Sequence, residues 1–242
     1  MIFSTTLPSV EQLTNFVTML ELPRLQEFTF CCSSQNIGEV EATRWQKLFQ
    51  RLARSTSSEF RSLTILGSQP ELTCMTFADI PAIFDLRLTC LKIPKFLRTV
   101  TPKDVAAIVQ GWSRLESLTI PYPIGFMSLI DIAKGLAKLR QLHIGLDCRN
   151  IPPIEQIPVL ENSLPFLRIM SPILSPPDAY DLAGGLDRLF PELETRTYTY
   201  FDSETFLTFW NDVNKLLSLQ QRARRDQRLR DKTSATKPLT ST

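Results

Sequence analysis

The chain has 242 residues, 43% hydrophobic and 21% charged, and a formal net charge of +2. That balance fits an ordinary folded protein, long enough to bury roughly 70 to 75 per cent of its unfolded surface without a metal or disulfide. Disorder is expected only at the C-terminus, and without a long apolar run neither a membrane span nor a signal peptide is expected.

Cys31, Cys32, Cys74, Cys90 and Cys148 are odd in number, hold one adjacent pair and show no CxxC spacing. This usage argues against a disulfide framework or zinc site and for a reduced intracellular compartment, cytoplasmic or nuclear.

From the N-terminus, Ser9-Val10-Glu11-Gln12 reads as a capping box opening a helix with Leu13, Phe16, Val17 and Leu20 on one stripe. Leu22-Pro23 stops it, and Leu25 to Phe30 alternates as a strand. A second helix is expected from about Glu39 to Ala53, with Trp45, Leu48, Phe49 and Leu52 at helical spacing, followed by a strand around Leu63 to Leu66. Phe77 to Phe84 reads as a short helix interrupted by Pro81, before a strand from Leu88 to Ile93. Thr101-Pro102-Lys103-Asp104 is a strong helix start, with Val105, Ile108, Val109 and Trp112 as its inner stripe. A helix from about Phe126 to Lys138 and a strand from Arg140 to Ile144 repeat the plan.

Pro152, Pro153, Pro158 and Pro165 predict an irregular link over residues 146 to 166. Asp178 to Phe190 recovers helical spacing, although Gly184 and Gly185 each weaken it by roughly 1 kcal/mol. The last helix, from Asp202 or Ser203, presents Phe206, Phe209, Trp210, Val213, Leu216 and Leu217, and its apolar face ends at Leu219. Residues 220 to 242 form a basic, partly disordered tail in which Gln220 to Lys232 imply no tertiary contact.

The phrase Leu-x-x-Leu-x-Ile, or a close relative, recurs seven times, with its second apolar position at Phe28, Leu63, Leu91, Leu118, Leu142, Leu167 and Arg196. Intervals of 24 to 35 residues suit one strand plus one return helix, the signature of a leucine-rich repeat array. The expected fold is an α/β solenoid, a horseshoe with a parallel concave sheet and convex helices. Strands stand about 4.8 Å apart and packed helices about 8 to 10 Å, so the array bends toward its strands.

Period-two alternation then turns the residues beside each mark away from the core. Those after it are Thr29, Thr64, Lys92, Thr119, His143, Arg168 and Thr197; Gln141 and Phe166 are among those before it. These nine are the candidate partner-binding residues, small and polar early, cationic toward the middle and end. A protein partner with a polar or acidic surface is expected on this wall.

Signals for catalysis are missing. His143 is the one histidine, and no GxSxG turn supplies it with a nucleophile. GxGxxG and GxxxxGK[ST] are absent, which weighs against a doubly wound nucleotide-binding sheet. No enzyme activity, cofactor, metal or small-molecule substrate is expected. A second reading makes the tail QQRARRDQRLRDK a nucleic-acid or membrane-surface adaptor through phosphate contacts, although it lacks interleaved aromatics and an apolar stripe.

The irregular repeats LPRLQEFTF, WSRLESLTI and LAKLRQLHI, ending in FPELETRTY and a helix with Trp210 and an Arg-rich end, resemble the leucine-rich repeat region of fungal F-box proteins over residues 9 to 225. The sequence departs from a regular repeat in that Pro94, Pro121 and Gly145, in place of an Asn, follow the strand Ile, and a ribonuclease-inhibitor-like array with no F-box is the other member of the repeat class it resembles. The resemblance implies repeats that hold a substrate for a ubiquitin ligase. Its adaptor is expected as a partner only if an F-box exists upstream of Met1, since residues 1 to 8 ahead of the first repeat helix do not carry one.

Overall fold

Among the described residues, eight strands join in a single sheet whose order is the order of the chain, and every pairing is parallel. The structure is a computed structural model that describes residues 2–7, 10–19, 24–32, 39–56, 59–67, 76–94, 97, 99–172, 178–195 and 204–235. In chain order the elements are β1 (Ile2–Leu7), α1 (Val10–Met19), β2 (Glu27–Cys32), α2 (Glu39–Ser55), β3 (Ser62–Gly67), β4 (Cys90–Lys92), α3 (Pro102–Gly111), β5 (Ser117–Gly125), α4 (Phe126–Gly135), β6 (Gln141–Asp147), β7 (Phe166–Pro172), α5 (Ala179–Leu189), β8 (Glu194–Thr195) and α6 (Glu204–Ala235). The fold is α/β. Each crossover steps the sheet in the same direction, so the right-handed rule puts all the connections on one face.

The buried face is built from the repeated phrase. Phe28, Leu63, Leu91, Leu118, Leu142 and Leu167 pair strand to strand and are all buried. A second column, Phe30, Ile65, Ile93, Ile120, Ile144 and Ile169, and a third, Leu25, Phe60, Leu88, Leu115, Leu139 and Leu164, are buried beside it. Each such side chain contributes roughly 1.5 to 3 kcal/mol, and the helices supply Trp45, Trp112 and Phe126 as the opposing layer.

Register is locked by a backbone ladder. The carbonyl of Gln26 accepts from the amides of Arg61 and Ser62 at 2.9 and 3.1 Å, and that of Arg61 from Thr89 and Cys90 at 2.8 and 2.9 Å. Thr89 accepts in the same way from Glu116 and Ser117, and Glu116 from Arg140 and Gln141.

Three features differ from expectation. β1 was not anticipated, yet Phe3 pairs with Phe28 and stacks on its ring at 5.6 Å, with Phe16 on its other side at 5.1 Å. At the far end β8 pairs Thr195, not Arg196, with Leu167. Leu193 is buried and makes the same turn onto Phe190 that Leu115 makes onto Trp112, so the phrase holds its phase up to Leu193 and the strand pairs one residue early. Arg196 itself lies outside the described residues.

The third difference is α6, which continues through Ala235 and meets the body beyond Leu219. Gln221 is buried and donates to the Leu193 carbonyl at 3.0 Å, Arg224 pairs with Asp187, and Arg228 stands 3.5 Å from Glu192. Polar contacts with α5 and the turn after it replace the apolar ones and carry the helix along the surface. Composition alone did not reveal them, because each partner lies 28 residues or more away in the chain.

Other expectations fall close to the structure. Thr101 and Asp104 form a reciprocal cap on α3, with the Thr101 amide donating to Asp104 at 2.7 Å. Residues 146 to 166 make only a short 3-10 turn at Ile154–Gln156, and the stretch around Pro81 forms two such turns. The cap assigned to Ser9 and the end of the chain after Ala235 lie outside the described residues.

Candidate functional site

The face opposite the core carries a continuous cross-strand row. Thr29 on β2, Thr64 on β3, Lys92 on β4, Thr119 on β5, His143 on β6 and Arg168 on β7 are successive register partners. Ser4 on β1 extends the row by one strand. Lys92 is exposed; Thr29, Thr64, His143 and Arg168 are half-buried, and Thr119 is 8% exposed. Gln141 and Phe166 pair with each other in the neighbouring row, exposed and half-buried respectively. Eight of the nine candidate residues therefore share one face, and the ninth, Thr197, lies outside the described residues.

The row changes character along the sheet. Hydroxyls dominate at β1 to β3. From β4 onward Lys92, His143 and Arg168 supply donors, with strands spaced about 4.8 Å. Phe166 packs its ring on His143 with centroids 5.3 Å apart, and Thr119 Oγ1 stands 3.4 Å from His143 Nδ1. Ser117 Oγ donates to Gln141 Oε1 at 3.4 Å just below.

Burial pushes the His143 imidazole below its ordinary value of 6.5, and the positive charges of Arg168 and then Lys92 push it further. The ring is neutral at pH 7, and its buried Nε2 has no hydrogen-bond partner among the described residues. With Nδ1 against Thr119 and Nε2 buried, the ring itself offers little to an incoming group, and its cationic neighbours Lys92 and Arg168 favour an acidic one.

Strand geometry keeps this row in place. β5 carries a bulge between Ile120 and Pro123, and its backbone presses on β6 at Gly145. A Cβ on Gly145 would stand 2.7 Å from Pro123 N and Tyr122 C and 2.9 Å from Pro121 O, so glycine is required there by space. Tyr122 Oη accepts from the Leu97 amide at 2.9 Å, tying the bulge to the preceding repeat.

Among the described cysteines, Cys90 stands in the cross-strand line of Ser117, Gln141 and Phe166, next to the row. Cys31 and Cys90 are half-buried thiols, and burial, with Asp147 next to it, pushes Cys148 up to about 12. No group of three or more His, Cys, Asp or Glu side chains that could hold a metal ion occurs among the described residues. No helix among them is long and apolar enough to cross a membrane.

Two features of the surface escaped the sequence reading. Ser4 and β1 were missed because Ile2 to Leu7 does not carry the Leu-x-x-Leu-x-Ile phrase, although its alternation was there to be read. The basic cluster of Arg61, Arg87 and Arg114 was also passed over, although Arg87 and Arg114 occupy the same place ahead of Leu88 and Leu115 in successive phrases. No known protein-family model matches this chain, and a comparison with curated proteins found no match.

Proposed function

We propose that the chain is a non-catalytic protein-recognition module: a leucine-rich repeat solenoid that acts inside the cell and presents the outer face of its parallel sheet, as a concave wall, to a polar or acidic protein partner. The observation that carries this reading is the in-register row from Thr29 to Arg168, a line of donors across six strands on the sheet face turned from the core. Strand order equal to chain order, apolar columns in phase and the repeated carbonyl ladder support the repeat-array part of it. The resemblance of LPRLQEFTF, WSRLESLTI and LAKLRQLHI to fungal F-box repeats supports a further step, in which the partner is a substrate presented to a ubiquitin ligase. Adaptor binding is tied to an F-box and is not assigned to these residues.

The test compares the full chain with Lys92→Glu/Arg168→Glu on the row and Lys47→Glu/Lys134→Glu on the exposed faces of α2 and α4. Proteins crosslinked to the wild type should be lost from the first variant and kept by the second. An identical set from all three chains overturns the proposal.

The alternative, an adaptor for nucleic acid or a membrane surface led by the C-terminal cations, has Arg222, Arg225 and Arg230 exposed on α6 in its favour. Arg224 and Arg228 of the same segment are engaged by Asp187 and Glu192. Neutralising Arg222 and Arg225 tests this reading without stripping away the contacts of Gln221 and Arg224. Binding to duplex DNA or anionic vesicles that disappears in that variant would favour it.

A further inference from the structure

At the edge of the sheet where the strands begin, Arg61, Arg87 and Arg114 surround a pocket of about 520 Å³, together with Thr89, Ser113 and Trp112. We propose that this pocket, separate from the row on the sheet face, is a binding site for a small phosphate-bearing molecule.

Three arginines line one opening and no acidic residue lines it. All three arginines are exposed, and none has an ion-pair partner among the described residues. Like charges gathered in this way repel one another, and a bound anion relieves that repulsion. A single carboxylate is matched by one guanidinium fork. A phosphate monoester or pyrophosphate presents three or more acceptor oxygens and a charge near −2, which suits several forks at once.

The roots of these side chains are held firmly. The Arg61 carbonyl accepts from the Thr89 and Cys90 amides at 2.8 and 2.9 Å, and the Thr89 carbonyl from Glu116 and Ser117 at 2.7 and 3.0 Å. Trp112 of the lining is anchored by its indole, which donates to the Leu86 carbonyl at 2.9 Å and packs on Phe84 at 4.7 Å. The backbone therefore presents the arginines from a fixed frame, and arginines take the place of the glycine-rich loops that the sequence lacks.

The size of the ligand follows from the lining. The volume lies in the range for small-molecule sites. Leu88 and Trp112, the large apolar side chains of the lining, are only 1% and 2% exposed, so neither offers a peptide side chain a surface on which to dock.

Calorimetric titration of the full chain with inorganic pyrophosphate, at about 0.15 M salt to screen loose charge attraction, tests the site. Saturable one-site binding is expected, with sulfate weaker. Arg87→Ala and Arg114→Ala should each weaken it about tenfold, the loss of one charged hydrogen-bonding group. Arg222→Ala/Arg225→Ala on α6 should leave it unchanged, and circular dichroism checks that every variant is folded. The proposal is overturned by a wild-type chain that binds no pyrophosphate, by one that binds only a phosphoserine peptide, or by a loss equally large in the α6 variant.

Discussion

Arg224 on α6 donates to the carboxylate of Asp187 on α5, a pair 37 residues apart in the chain that closes the last helix onto the body. Asp187 is 7% exposed. Burial pushes its carboxyl above the ordinary value of 3.8, and the charge and hydrogen bond of Arg224 pull it back.

With a raised folded-state value, ionisation of Asp187 costs stability as pH rises through and above the carboxylate range, and Arg224 offsets that cost. Arg224→Ala should therefore destabilise the chain by roughly 2 to 4 kcal/mol near pH 7, while Asp187→Asn/Arg224→Ala loses less because no buried charge is left alone. The loss in Arg224→Ala should shrink as pH falls, because the carboxyl becomes neutral already above its ordinary value of 3.8. Urea denaturation at several pH values measures this; a loss independent of pH would contradict an electrostatic role for the pair.

Gly145→Ala should destabilise by about 1 to 3 kcal/mol, the usual range for overpacking, because the added Cβ meets backbone atoms of the β5 bulge, which cannot rotate away. Thermal or chemical denaturation reads the effect. Gly125→Ala is the control, since nothing stands within 4 Å of a Cβ there.

His143 is the only histidine, so its ring protons give a single titrating signal by NMR. Its midpoint should lie below 6.5 and move up in Arg168→Gln, with a smaller rise in Lys92→Gln. Because the folded value is depressed, the stability contributed by neutral His143 is present above pH 6.5 and is lost as pH falls through the folded midpoint. A midpoint unmoved by either substitution would show that the three side chains do not share one field.

Asn162 is 7% exposed in the proline-rich link, where its Nδ2 donates to the Ala133 carbonyl at 2.8 Å and its Oδ1 accepts from the Leu164 amide at 3.0 Å. Asn162→Leu should cost about 2 to 4 kcal/mol, since it strands a buried carbonyl and a buried amide together. Equilibrium unfolding checks it, and a change below about 0.5 kcal/mol would mean that the link finds other partners.

Much of the sheet was legible because alternation is a local property. Phe28, Leu63, Leu91, Leu118, Leu142 and Leu167 could be marked from spacing alone, and the face assignment of Thr29, Thr64, Lys92, Thr119, His143 and Arg168 followed from period two. The cap at Thr101 was readable for the same reason: both partners lie within four residues. The link over residues 146 to 166 announced itself through proline.

Less was legible at the two ends and between elements. Ile2 to Leu7 of β1 does not carry the repeated phrase, and at β8 Leu193 keeps phase while Thr195 takes the place expected of Arg196 opposite Leu167. Polar residues were the hardest to place. Arg224 read as part of a charged tail, and Arg61, Arg87 and Arg114 read as scattered surface cations until the sheet brought them to one opening.

The order of apolar residues along the chain was enough to determine repeated strands, the side each residue faces and the helix stripes that cover them, since burial drives those choices residue by residue. Tertiary structure decided the rest: the one-residue slip at β8, the need for glycine at 145, the seam between Asp187 and Arg224, and the meeting of three arginines from neighbouring repeats. Each depends on how far one repeat is displaced against the next, a distance set by backbone hydrogen bonds and packing across 24 or more residues, which no local pattern encodes.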